Sequence, residues 1–364
     1  GYHEGVLGGL PDRHMLDALC SDRPLRIQHQ SGRLWMLNSA ALERLRHIPP
    51  PAGMRRENGH FTGHLFDEDA WLQQALGSTP PDFTAISQEL ARFGVTGVTD
   101  MSPRNDAKMA AHFTQQRQSG ALLQQAIVAG TLALRDAVAG GFSVGPAKLH
   151  LHEAELPDFD DAVLFARTAH EQGRQVAVHC VSEVELVFAL AVLAEAGDCA
   201  RDRIEHVSVA SLELLDRMAE LGLHACLQPS FVHERGDRYL ADVEAHHQPN
   251  LYRIRSLLER AIPMAGGSDG PYGSLDPWAA MAASLSRQTT GGAILNAQEA
   301  LTPEAALSLY LADPHDFTRQ RVIEIGAPAD LCLLHQPWDS ARQNLSSACV
   351  AATIIGGKVI YQSV

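Results

Sequence analysis

AKLHLHE at residues 147–153, FDDAVLFARTAHEQG at 159–173 and QVAVHC at 175–180 read in succession as a strand, an amphipathic helix and a second strand. The middle segment spaces its apolar residues at helical intervals and closes on Gly173, a residue suited to a helix C-cap. A strand, a helix and a strand in repetition imply a parallel sheet, and the alternation continues on both sides. GVTGVTDMS (94–102), LLQQAIVAG (122–130), RIEHVSV (203–209), LHACLQPS (223–230) and AIPMAGGSD (261–269) are further strand candidates. VELVFALAVLAEAG (184–197) and SLELLDRMAELG (211–222) are further helices. Seven strands are countable, one short of the eight that close a TIM-type (β/α)8 barrel, so the expected fold class is α/β of that kind. The remaining strand should precede residue 85.

In a parallel barrel the active site gathers at the C-terminal ends of the strands, so polar residues that close apolar strands are the candidates for chemistry. Four runs end this way, and they deliver Lys148, His179, His206 and Asp269 in order. Lys148, His150 and His152 alternate and share one strand face. A buried lysine with a lowered pKa is a nucleophilic amine, able to form a Schiff base or to capture carbon dioxide as a carbamate; its plainer role is to bridge core carboxylates. His179 and His206 offer neutral imidazoles, which suit zinc and similar divalent metals. Asp269, after Gly266-Gly267-Ser268, is placed to bind metal and to accept a proton from water, or else to cap a helix begun by Pro271 or Pro277. Gln228 and Tyr272, near strand ends, are candidates for substrate binding. By strict alternation Cys180 faces away from His179 as core packing, and Glu205, beside His206, points into the layer between barrel and helices.

The flanks read differently. PLRIQHQSGRLWMLNSAALERL (24–45) suggests a strand, a turn at Ser31-Gly32 and a helix capped by Asn38 or Ser39, and HIPPPAGMRRENGHFTGH (47–64) looks like loop. Residues 1–84 are therefore taken as an insertion or lid, with 85–318 as the barrel. Residues 319–364 are taken as a small β-sandwich segment, since GAPADLCLL and VAATIIGGKVIYQ read as strands with a hairpin turn at Gly356-Gly357.

Composition narrows the partners. With 29 basic and 43 acidic residues the formal charge is −14, and no Lys/Arg-rich run is present, which argues against nucleic acid and anionic membranes and for a small neutral or cationic substrate. Six cysteines lie scattered without a C-x-x-C, as reduced core cysteines do. With neither a basic-then-apolar leader nor a long apolar span, the expected location is the cytoplasm. Gly1 in place of Met reads as a processed, trimmed or incomplete start.

VAVHC, RIEH, GSD followed by Asp276-Pro277, and the trailing GAPADLCLL and GGKVIY together resemble the amidohydrolase superfamily. The branch is amidohydrolase family 3, similar to N-substituted formamide deformylases, and the likeness runs over nearly the whole chain, including LTPEAALSLYL at 301–311. The resemblance implies a metal-dependent hydrolase cutting a non-peptide amide-like C–N bond of an N-acyl or N-formyl compound. It also implies a divalent metal, taken as zinc, held by carboxylated Lys148, His179, His206 and Asp269, with Asp269 moving the proton. Two departures stand out. The chain opens at Gly1-Tyr2-His3 without the family's first-strand His-x-His pair, so it resembles a member lacking its opening segment, and His152-Glu153 stands where the family often has Asp-Gly. Alternatives are a truncated or degenerate barrel without activity and a metal-free Schiff-base lyase using Lys148. A barrel short of one strand leaves open edges, which homo-oligomerisation or a surrogate N-terminal strand would cover.

Overall fold

The chain divides into two compact units, residues 1–81 and 82–364. The computed structural model describes residues 2, 6–29, 31–77, 80–136 and 140–363; Gly1 and His3, noted in the sequence, lie outside them.

In the first unit β1 (Arg26–Gln28), β2 (Leu34–Leu37), β3 (Met54–Glu57) and β4 (His60–Phe66) form an antiparallel sheet of their own in the order β1-β2-β4-β3. The strand, turn and helix expected over 24–45 are present. Asn38 caps the helix Ser39–Leu45, its Oδ1 accepting from Ala41 N at 2.8 Å and also from Leu25 N at 2.9 Å. The stretch expected to be loop is corrected in its second half, where β3 and β4 pair as a hairpin. Asn58 and Gly59 make its turn with φ of 51° and 83°. Two consecutive positive φ values are what a two-residue hairpin turn matched to strand twist demands, and Asn-Gly supplies them with little strain.

The second unit contains all seven expected strands. They are β5 (Gly97–Asp100), β6 (Gln125–Gly130), β7 (Ser143–His150), β8 (Val176–Cys180), β9 (Arg203–His206), β10 (His224–Leu227) and β11 (Met264–Gly266). They pair in parallel in consecutive order, with β5 and β11 as the edges and no eighth strand among the described residues. Val176, Val178, Cys180, Ile204, Ala225 and Leu227 turn toward the helices and join Ala166, Leu186, Leu190, Leu193 and Leu215 in one core. Each such aliphatic side chain contributes about 1.5–3 kcal/mol on burial. Cys180 thus packs as expected, and all six cysteines are unbridged.

Helix starts are strongly specified around the strand ends that matter. Asp158 caps the helix Phe159–Glu171, and Ser182 with Glu185 forms a capping box on the helix Glu183–Ala196. Glu185, 2% exposed, does more than cap. Its carboxylate accepts from Val181 N at 2.7 Å, Ser182 N at 3.2 Å and Glu153 N at 2.9 Å, so it ties the segment after β7 to the end of β8.

Past the barrel strands, β12 (Ala312–Asp313) and β13 (Asp316–Gln320) pair, and β14 (Leu331–Leu334), β15 (Val350–Ile355) and β16 (Lys358–Gln362) form a three-stranded antiparallel sheet. The expected Gly356-Gly357 turn joins the last two with φ of 57° and 78°. Thr353 Oγ1 donates to Ala91 O at 2.6 Å, fastening this sheet to the helix Thr84–Arg92. Among the described residues no helix is long and apolar enough to cross a membrane.

Candidate active site

Parallel register places His150 beside His179 and Cys180 beside His206, so neighbouring strands bring their last residues to one end of the sheet. The imidazoles of His152, His150, His179 and His206 follow one another in a row, with ring centroids 4.5, 4.4 and 4.5 Å apart. Lys148 lies two residues back on β7, 8% exposed, with no carboxylate within ion-pair distance among the described residues. A bridge to core carboxylates is therefore not what holds it.

Burial works against the charged form of each of these groups. Desolvation pulls the Lys148 amine below its ordinary value, and nearby Glu205 only partly restores it. Burial, then Lys148, lowers His206 to about 4. The protein packed around its ring, then His152 and Lys148, lowers His150 to about 3. Burial, then His206 and His150, holds His179 far below the usual imidazole range. His206 Nδ1 sits 2.7 Å from Gln228 Oε1. An amide oxygen can only accept, so Nδ1 carries the proton and Nε2 keeps its lone pair. Gln228 is buried just beyond β10 and thus orients a histidine in addition to being a candidate substrate contact.

Asp269 lies in the loop after β11, with φ 52°. Burial raises its carboxyl to about 6, against the pull of Arg235 and then Lys148. It is not a helix cap: Asp276 caps the helix Pro277–Ser286 through Trp278 N and Ala279 N. Tyr272 closes the same turn, its N–H donating to Asp269 O at 2.8 Å.

Strict alternation misplaces Glu205. His206 and Val207 have φ of 74° and 47°, so β9 ends in a kink. Ile204 faces the helices, while Arg203 and Glu205 face the barrel interior, where Arg203 Nε stands 2.6 Å from Glu205 Oε1. The kink then turns His206 to the His179 side as well. Burial pushes the Glu205 carboxyl up, but Arg203, Lys148 and His206 together hold it below its ordinary value. Strained backbone of this sort, costing roughly 1–3 kcal/mol per residue, concentrates at functional sites. Arg235 was not anticipated either. It comes from the helix Ser230–Asp242, and no pattern in the sequence marks it.

Among the described residues no three His, Cys, Asp or Glu side chains gather about one point as a ready-made metal cage. The donor set nevertheless fits a divalent ion chemically through Lys148. Neutral imidazoles with a fixed tautomer are metal ligands, and a buried amine whose charged form is disfavoured can be carboxylated to supply oxygen donors.

A parallel (β/α)-barrel sheet with such side chains at its strand ends defines a protein of the metal-dependent hydrolase kind. The chain belongs to the amidohydrolase family, whose profile matches residues 8–361, and the family implies a divalent metal. It is similar to YtcJ of Bacillus subtilis (strain 168), which carries an amidohydrolase name, at 24% identity over 96% of this chain and 76% of that protein. It is 28% identical to the N-substituted formamide deformylase of Arthrobacter pascens over 53% of this chain and 38% of that enzyme. Among solved structures it resembles an uncharacterized metal-dependent hydrolase from Pyrococcus horikoshii OT3, with a TM-score of 0.68 and 20% identity over 85% of this chain and 70% of the other. Hydrolysis of a C–N bond is the reaction class this membership supports.

Proposed function

We propose that this chain hydrolyses the amide-like C–N bond of a small N-acyl or N-formyl compound, with a divalent metal, zinc, held by carboxylated Lys148, His179, His206 and Asp269. The observation that carries the reading is the approach of two neutral imidazoles, His179 and His206, 4.5 Å between ring centroids, at the strand ends beside a buried, unpaired Lys148. A bound divalent ion supplies Lewis acidity, which polarises a carbonyl and makes water acidic near neutral pH.

The chain's own residues do the remainder. Burial disfavours the charged form of the Lys148 amine, so that, once it has given up its ammonium proton, its lone pair adds carbon dioxide with release of one further proton to solvent, and Arg203 offsets the charge of Glu205 nearby. Gln228 holds His206 with Nε2 free. A carboxyl titrating near 6 is matched to proton transfer near neutrality, so Asp269 accepts a proton from the attacking water at a carboxylate oxygen and passes it to the leaving nitrogen. Gln228, through its amide nitrogen, and Tyr272, on the Asp269 loop, line the substrate position.

The test is elemental analysis of wild type and His179→Ala purified without chelator, with N-formyl and N-acyl amides offered to both. Near-stoichiometric zinc and amide cleavage in wild type, both lost in the variant, are expected. A wild type that neither carries nor takes up a divalent metal overturns the reading.

A further inference from the structure

The formal charge of −14 argues for a neutral or cationic substrate, but the charges around the strand ends have the opposite balance. Arg104 acts on His150 and Arg235 acts on His206 and Asp269, Arg203 and Glu205 offset one another as a pair, and Asp269 is the remaining acid among them. We propose that Arg235 is a carboxylate-binding residue at the mouth of this site, so that the preferred substrates are N-acyl compounds bearing a free carboxylate. The inference rests on the hydrolase reading for the word substrate, and on the geometry of Arg235 for the rest.

Three observations place Arg235 for that task. Its guanidinium carbon lies over Phe231, 3.6 Å from the ring centroid, a cation–π contact that restrains the group. One of its nitrogens donates to Tyr272 O at 2.6 Å, on the loop that carries Asp269. The Tyr239 hydroxyl is a second hydrogen-bond partner, but among the described residues no carboxylate lies within ion-pair distance of the guanidinium, so the fork has no anion to answer. A planar, half-buried guanidinium already oriented loses little entropy on taking a carboxylate in two parallel hydrogen bonds. The surroundings are rigid as well. Glu234 accepts from Ser274 N at 3.0 Å and Asp237 from Gly291 N at 2.6 Å, which anchors the helix on both sides of Arg235.

Arg235 also clamps the Asp269 loop through Tyr272, and a clamp alone would affect every ligand equally. The discriminating probes are therefore N-acetylglycine and its methyl ester, alike except for the charge. Calorimetry on the wild-type protein, Arg235→Met and Arg235→Lys compares their affinities, with a thermal melt confirming that each variant is folded. Met keeps the apolar contact with Phe231 and removes the fork; Lys keeps the charge without the plane. Wild type is expected to favour the carboxylate by about ten- to hundredfold, Arg235→Met to lose that preference with the ester unchanged, and Arg235→Lys to retain part of it. A preference that survives in Arg235→Met, a wild type that binds both probes equally, or no binding of N-acetylglycine overturns the proposal. Failure of the hydrolase reading is separate: a protein that shows the carboxylate preference but cleaves no amide keeps this inference and loses the activity.

Discussion

Gln228→Ala isolates the contact that orients His206. The wild-type side chain accepts the Nδ1–H of His206 at 2.7 Å inside the barrel mouth, where Gln228 is 3% exposed and water cannot easily substitute. Without it the imidazole can rotate or exchange tautomers, and no acceptor on Nδ1 holds the lone pair on Nε2. Loss of such an outer contact weakens a metal site by about 10- to 100-fold, or roughly 1.4–2.7 kcal/mol. Zinc affinity should be read by competition with a chromophoric chelator on metal-depleted wild type, Gln228→Ala, Gln228→Glu and His206→Ala. His206→Ala should fall furthest, Gln228→Ala should lie between it and wild type, and Gln228→Glu, which keeps the acceptor oxygen, should stay near wild type. If Gln228→Ala binds zinc within twofold of wild type while His206→Ala is impaired, the orienting role assigned to Gln228 is wrong.

Asp269→Asn should lower amide turnover by at least about 100-fold while leaving the fold intact, because the amide oxygen that remains cannot take a proton; steady-state kinetics with circular dichroism checks this. Glu185→Ala removes three charge-assisted hydrogen bonds to backbone amides and should destabilise the protein by about 3–5 kcal/mol in chemical denaturation, less than three separate bonds because water reaches the freed amides. A loss under about 1 kcal/mol would mean that Glu185 is only a helix cap. Asp202 gives a pH signature: burial raises its carboxyl from 3.8 to about 6, against the opposing bonds to Val176 N and His170. The folded state then holds more protons than the unfolded state between about pH 4 and 6. Its contribution, on the order of 3 kcal/mol, is therefore full below that window and lost as pH rises through it. Denaturation of wild type against Asp202→Asn across that range should show this fall, and a rise would reverse the sign of the argument.

The seven strands of the barrel were legible because each is a short apolar run bounded by glycine, proline or an amphipathic helix, and local patterning of that kind survives folding. The hairpin over 54–66 is masked in the sequence because the Pro49-Pro50-Pro51 run and several glycines resemble loop, although Asn58-Gly59 is itself a hairpin signal. The alternation rule then placed Glu205 on the wrong face. It assumes an extended backbone through His206, and the positive φ at His206 and Val207 is a property of the folded strand end that side-chain periodicity does not encode.

By itself, the sequence determined the parallel α/β architecture, the order in which Lys148, His179, His206 and Asp269 arrive, and the family, since all of these depend on residue type and spacing along one chain. Only the tertiary structure decided that His150 stands beside His179, that Gln228 fixes the tautomer of His206, that Glu205 faces the barrel interior with Arg203 and that Arg235 overlooks the Asp269 loop. Those relations depend on register between strands and on packing between segments far apart in sequence. Register is set by the buried faces of several strands at once, so no single run of residues contains it.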